Sequence, residues 1–369
     1  MKETAVSRAA SYFSDALLSE TDALRKKRQR RRPVYSIYIA AAACLVLLLS
    51  LPLLLHKTLP PLTVGDFFAE GEGDGMGGRY AETADALTDG NPWTPDTAFS
   101  TLPVYAHCAF SEEERLSLLR DTAKRLSLPD GDITADAFFT VLKTETATVS
   151  VYAEGDITIQ FTPKRRLSAL TDYAYGCTAA QANACITPLK EAFSELLGMK
   201  KPHAVLEGGE YDFFARPTGY TVAFYDAAGS EKQQFLHFQL HRTYLYPTEE
   251  GGGIDLVRIY AYDRAEKVGD YPIISLDEAT ALLQNGNFIT AVGDDLPETL
   301  APEKVALVYR TSHADSHSMP YYCFTVRLRD DTHTDAREKG IPLFGEVYVP
   351  AVQAQYLTAL PVWDGTTSK

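Results

Sequence analysis

"YYCFTVRL", residues 321–328, is the stretch that decides the fold. Tyr322, Phe324, Val326 and Leu328 recur at every second position, which places them on one face of an extended strand. Alternation of this kind marks a sheet buried on one side, as antiparallel pairing allows. Strands of parallel α/β sheets read instead as unbroken apolar runs. The same short, alternating pattern recurs in "TVSVYAE" (148–154), "ITIQFT" (157–162), "TVAFYDA" (221–227), "IDLVRIYAY" (254–262), "KVALVYR" (304–310) and "GEVYVP" (345–350). "FLHFQLHRTYLY" (235–246) reads as a further strand. Leu236, Phe238, Leu240, Tyr244 and Tyr246 share one of its faces, and His237, Gln239, His241 and Thr243 the other.

Helices lie among these strands. In "FSEEERLSLLRDTAKRLSL" (110–128), Ser111 and Glu114 form a capping box, and Leu116, Leu119, Ala123 and Leu126 line one face. "ISLDEATALLQNG" (274–286) repeats the device with Ser275 and Glu278; Leu282 and Leu283 face inward and Gly286 ends the helix. "TAAQANACITPLKEAFSELLGM" (178–199) is a third helical stretch, expected to bend or restart at Pro188. The order helix, strand, strand occurs near 111–161 and again near 276–328. The expected fold is therefore α+β: helices packed on antiparallel sheets, in two related modules at 99–265 and 266–369.

Upstream, the composition changes. Residues 25–33 read "RKKRQRRRP", and residues 34–55 read "VYSIYIAAAACLVLLLSLPLLL" with no charged side chain. As a helix that run would be about 33 Å long, enough for a bilayer core. A cleavable signal peptide would need a short leader and a small-residue cleavage site, but 33 residues precede the apolar run and it ends in "LLLHKTLPP", with no A-x-A pattern. The expectation is an uncleaved single span. Arg25, Lys26, Lys27, Arg28, Arg30, Arg31 and Arg32 then act as the topology determinant, holding a tail of residues 1–33 in the cytoplasm against anionic lipid. Everything after residue 55 is expected outside the cell membrane. A nucleic-acid-binding arm and contact with a cytoplasmic regulator are the other readings of the basic run. Residues 56–369 carry 26 basic and 45 acidic side chains, an excess of negative charge that repels a phosphate backbone, so no nucleic-acid partner is expected. Residues 56–98, with "GEGDGMGG" at 71–78, read as a flexible acidic linker. Its formal G-x-G-x-x-G lacks the flanking strand and helix of a dinucleotide site. Its "EGEGDG" lacks the closing carboxylate of a calcium loop, since Ala81 stands at position 12.

Tail, basic run and span resemble the anchors of bacterial anti-sigma-type regulators, without their metal-binding Cys/His set. "YPIISLDEATALLQNG", "KVALVYRT", "MPYYCFTVRL" and "GEVYVPAV", within residues 271–352, resemble the helix-plus-hairpin units of PepSY-type and YycI/YycH-type extracytoplasmic domains. The whole chain, with "STLPVY" at 100–105, also looks like a class of uncharacterised clostridial-type membrane-anchored proteins. The resemblance implies a non-catalytic domain that modulates partner proteins such as peptidases or sensor kinases.

Side chains that could carry chemistry are few. No G-x-S-x-G, H-E-x-x-H, P-loop or C-x-x-C motif occurs. His237 and His241, on one face of a strand, would stand about 13 Å apart, too far to share a metal. His313, Asp315 and His317 fall in an expected hairpin loop and supply three ligands at most. Cys44 lies in the apolar run; of Cys108, Cys177, Cys185 and Cys323, the pair Cys177–Cys185 is the first candidate for a disulfide, with free thiols as the alternative. Were 178–186 helical throughout, the two sulfurs would lie about 12 Å apart along the axis. The 21 tyrosines fit half-buried strands, or an aromatic interface. The expected function is a single-pass, membrane-anchored extracytoplasmic regulatory or protein-binding protein, not an enzyme. No cofactor or metal is expected; the partners are the lipid bilayer and another membrane or envelope protein. An extracytoplasmic hydrolase with a dispersed site and a structural envelope protein are the alternatives.

Overall fold

A computed structural model describes residues 19–25, 59–65, 78–87, 91–93, 95, 99–107, 109–212, 214, 216–262, 266–290, 292, 296–311, 315–329 and 338–363. The chain divides into two units, Met1–Thr58 and Leu59–Lys369. In the first, residues 19–25 are helical and exposed, so Arg25 is the one member of the basic run that is described. Lys26, Lys27, Arg28, Arg30, Arg31, Arg32, the apolar run 34–55, the glycine-rich stretch 71–77, Cys44 and Cys108 lie outside the described residues. Among the described residues no helix is long and apolar enough to cross a membrane.

The second unit is α+β with antiparallel sheets. Two strands come first, β1 (Arg79–Tyr80) and β2 (Thr101–Ala106). Eight follow in a row: β3 (Asp132–Ala135), β4 (Phe139–Lys143), β5 (Ala147–Tyr152), β6 (Ile157–Arg166), β7 (Pro202–Tyr211), β8 (Pro217–Asp226), β9 (His241–Pro247) and β10 (Gly253–Ala261). Among the described residues these eight form one sheet in the order β3-β4-β5-β6-β10-β9-β8-β7. The last strands are β11 (Glu266–Pro272), β12 (Ile289–Thr290), β13 (Pro302–Arg310), β14 (His317–Arg327) and β15 (Leu343–Pro350). They join β1 and β2 in a second sheet, where β14 lies between β13 and β15 and β2 pairs with both β11 and β14. The second sheet thus takes strands from both sides of the first. Thr101–Ala106, which the sequence assigns to the module 99–265, pairs with strands of 266–369.

Helix α1 (Glu112–Arg125) starts at the Ser111–Glu114 capping box, as its sequence predicts. Helix α2 (Ala179–Ala192) starts at a second box, Thr178–Gln181. It runs on past Pro188 without restarting there, although Pro188 has no N–H to give the preceding turn. The interruption comes instead at Phe193, turned into the core at 1% exposure, before the short α3 (Ser194–Leu197). These helices cover one face of the eight-stranded sheet. Leu119 and Leu189 meet Val149, Val151, Ile157, Ile159, Val222, Phe224, Leu245 and Val257, all at 0–2% exposure. Burial of such side chains stabilises by roughly 1.5–3 kcal/mol each relative to exposure. A second core forms where α4 (Glu231–Leu240) and α5 (Leu276–Gln284) pack on β13 to β15, around Phe235, Leu283, Leu307, Tyr322, Phe324 and Val347. Helix α5 has the predicted Ser275–Glu278 box, and Gly286, at φ +78°, stands just beyond its C-cap.

Two expectations are corrected here. The stretch 235–246 is not one strand: Glu231–Leu240 is helical, and only His241–Pro247 is extended. The cause is local, because Ser230 and Gln233 form a capping box that the sequence also carries. The linker 56–98 is packed in its described parts. Leu62 is fully buried beside Tyr271 and Leu357, Tyr80 and Ala81 are buried, and the Trp93 ring lies 5.3 Å from that of Phe238.

Candidate functional site

Helix α4 runs directly into β9, and this junction sets one wall of the site. Strand geometry sends Thr243 and Leu245 into the core beneath α1 and α2, so Arg242, Tyr244 and Tyr246 project from the opposite face. Its neighbour β10 and the residue after it carry the same spacing, Arg258, Tyr260 and Tyr262. Antiparallel pairing sets Arg258 opposite Tyr244 and Tyr260 opposite Arg242. Guanidinium groups and rings therefore alternate across the two strands. The Tyr244 and Tyr246 rings stack at 6.2 Å, Tyr260 and Tyr262 stack at 6.0 Å, and Tyr260 meets Tyr244 edge-on at 5.5 Å. Arg242 lies 5.3 Å from the Tyr244 ring and forms an ion pair with Glu207 of β7.

The second sheet supplies the facing wall. Alternation on β13 points Lys304, Ala306 and Val308 the same way. The register sets Lys304, Thr325 and Glu346 in one row and Ala306, Cys323 and Tyr348 in the next. Glu346 accepts from Arg79 at 2.8 Å and from the Tyr348 hydroxyl at 2.6 Å. Arg310 lies deeper. It pairs with Asp315 at 3.2 Å, side chains 9% and 3% exposed, and its guanidinium is 5.5 Å from the Tyr321 ring. At the inner end Gln239 accepts from the Tyr309 backbone N–H at 3.1 Å. The two walls enclose a cavity of about 540 Å³, the size of a small-molecule site. A second cavity of about 470 Å³ shares Tyr246 and opens where β8 and β9 part below Val222 and Leu245.

The electrostatics of the cleft favour recognition. Burial, with lesser contributions from neighbouring charges, pushes the phenols of Tyr244 and Tyr262 well up. Burial and then the adjoining Tyr260 raise Tyr246. Burial, Cys323 and Glu346 do the same to Tyr348. These tyrosines are neutral hydroxyl donors with apolar faces throughout the physiological range. The carboxylates Glu207 and Glu346 are each engaged by an arginine.

The residues singled out in the sequence are placed elsewhere. His237 lies in α4 and donates from Nδ1 to the Asp226 carbonyl at 2.7 Å; His241 caps that helix. Helical rather than extended spacing brings both to a smaller cavity of about 290 Å³, together with Asp121 and Asp226. Burial works against the Asp226 carboxylate, but N–H groups of Lys201, Lys200 and Ala228 hold it below its ordinary range. Asp315 is committed to Arg310 and His317 opens β14, while His313 lies outside the described residues. Among the described residues no three His, Cys, Asp or Glu side chains gather as a metal site. The Cys177–Cys185 disulfide is not formed. Cys177, Cys185 and Cys323 are buried thiols outside any disulfide, and Cys185 sits inside α2 while Cys177 precedes its cap. Cys177 Sγ donates to the Tyr220 carbonyl at 3.4 Å. Burial, then Cys177 and Asp172, raise the Cys185 thiol, which keeps it protonated. The cleft itself was missed, although its signal is in the sequence: "RTYLY" and "RIYAY" are two copies of R-x-Y-x-Y on consecutive strands.

Fold and site together define an α+β protein with an aromatic, ion-paired cleft between two sheets. No family model matches the chain, and no curated protein matches it. Among solved structures it is similar to an uncharacterized protein from Eubacterium rectale ATCC 33656. The TM-score is 0.32 and the identity 10%, over 69% of this chain and 84% of that one, a likeness too slight to bear on function.

Proposed function

We propose that this protein is a single-pass, membrane-anchored extracytoplasmic binding protein that regulates another membrane or envelope protein. The charge-free residues 34–55 form its transmembrane helix, the basic run keeps residues 1–33 in the cytoplasm, and the α+β body lies outside. The resemblance of residues 271–352 to PepSY-type and YycI/YycH-type domains points the same way. One observation carries the choice of binding over catalysis. In the large cleft the carboxylates are tied to arginines and most of the tyrosines are held protonated, so the groups present offer shape, stacking and hydrogen bonds. A general acid or base would instead need a group poised near the working pH.

The test is crosslinking in intact cells, with the full chain and with a secreted version lacking residues 1–55. One envelope protein captured repeatedly by the full chain, and much less by the secreted version, is the expected result. Equal capture and equal regulation by the span-free version would sink the anchored-regulator reading. So would protease shaving of intact cells that leaves the body untouched.

A further inference from the structure

Among the described residues the cleft has three matched cations and one that is left over. Arg79 pairs with Glu346, Arg242 with Glu207, and Arg310 with Asp315. Lys304 lines the same cavity, is half-buried, and makes no ion pair or hydrogen bond among the described residues. The carboxylate in its row of the sheet, Glu346 beyond Thr325, is already taken by Arg79 and Tyr348. An unmatched ammonium is conspicuous in a body with 26 basic and 45 acidic side chains over residues 56–369. Elsewhere an exposed lysine would have carboxylates to choose from. Inside a cleft walled by protein its field is less screened by water. At the other end Gln239 is held in place by the chain itself, its Oε1 accepting from the Tyr309 N–H and its Nε2 buried. A cavity of about 540 Å³ has room for a ring-bearing small molecule. The rings of Tyr244, Tyr246 and Tyr260 line the same cavity.

We infer that this cleft binds a ring-bearing organic anion, its carboxylate or phosphate held by Lys304 and its ring packed on the Tyr244–Tyr246–Tyr260 wall. The inference rests on the binding-protein reading and names its ligand class. Lys304 supplies the charge-assisted hydrogen bond, and the tyrosine faces supply apolar area. Neutral ligands of the same shape lose the first of these. Anions without a ring lose the second.

The experiment uses the full chain in nanodiscs and titration calorimetry at low salt. The probes are phenyl β-D-glucuronide and its neutral isostere phenyl β-D-glucoside, which differ in the carboxylate. The glucuronide is expected to bind about tenfold tighter than the glucoside, one charge-assisted hydrogen bond's worth, and to weaken as salt is added. Lys304→Gln should remove that preference, and Lys304→Arg should restore most of it. Tyr246→Leu should weaken both probes together. Equal affinity for the two probes, an unchanged preference in Lys304→Gln, or no binding of the glucuronide up to about 10 mM would each overturn the inference. The Lys304→Arg variant guards against a folding defect in Lys304→Gln. Crosslinking of an envelope partner that persists when the anion preference is absent would overturn this inference and leave the anchored-regulator reading standing.

Discussion

Tyr173 shows what a single side chain does in this fold. It is fully buried, and its hydroxyl donates to the Leu245 carbonyl while accepting from the Val222 N–H. Val222 and Leu245 are the last paired residues before β8 and β9 separate, so the phenol closes the end of that ladder. Tyr173→Phe should leave two buried backbone groups without partners and cost about 2 kcal/mol, read as a lowered urea midpoint. Arg310 and Asp315 pose a different case. Removing one partner of a buried pair leaves an uncompensated charge, so Asp315→Asn should destabilise by roughly 3 kcal/mol in the same measurement. The double change Arg310→Met with Asp315→Leu should cost much less than either single change. A simple sum would show that the pair is not the unit.

At the scale of elements, what decided each outcome was whether its signal was local. The boxes Ser111–Glu114 and Ser275–Glu278 formed where the sequence places them, and the strands at 304–310, 321–328 and 345–350 extend as their alternation predicts. In α4 two local signals competed. Leu236, Phe238 and Leu240 alternate as in a strand, yet Ser230–Gln233 nucleates a helix and tertiary packing buries Phe235, Phe238 and Leu240. Ser230→Ala should cost about 1 kcal/mol and speed amide exchange across residues 234–240 more than elsewhere. No change in that segment's exchange would mean that packing alone holds the helix. Gly286 is a second local control. Its φ of +78° suits glycine, so Gly286→Ala should lower stability by about 1 kcal/mol although open space surrounds the site.

For the whole molecule, the relevant feature is how many phenols lie in the interior. Burial raises Tyr173, Tyr244, Tyr262, Tyr309, Tyr321 and Tyr348 above the ordinary tyrosine value of about 10. Above that value the unfolded chain releases protons that the folded chain retains. Stability is then full below about pH 10 and falls as pH rises beyond it, by about 1.4 kcal/mol per pH unit for each such group. Urea melts from pH 8 to 11 should show a midpoint flat at first and dropping steeply beyond 10. A midpoint that stays level to pH 11 would mean that these phenols titrate normally in the folded state.

The sequence by itself determined the α+β class, two capped helices, and the alternating strands at 148–152, 157–161 and 304–310, because spacing and capping act over a few residues. It also carried both copies of R-x-Y-x-Y, but not the fact that they would be neighbours. Tertiary structure decided that β1 and β2 close the C-terminal sheet, that Leu62 and Trp93 pack rather than tether, and that the tyrosine wall faces Lys304 across a cavity. Each of those depends on which strand edge a distant segment finds to satisfy its backbone hydrogen bonds and bury its apolar side chains. That choice is made among pairings across more than two hundred residues, as in the Tyr80–Leu343 pair, where no local pattern reaches.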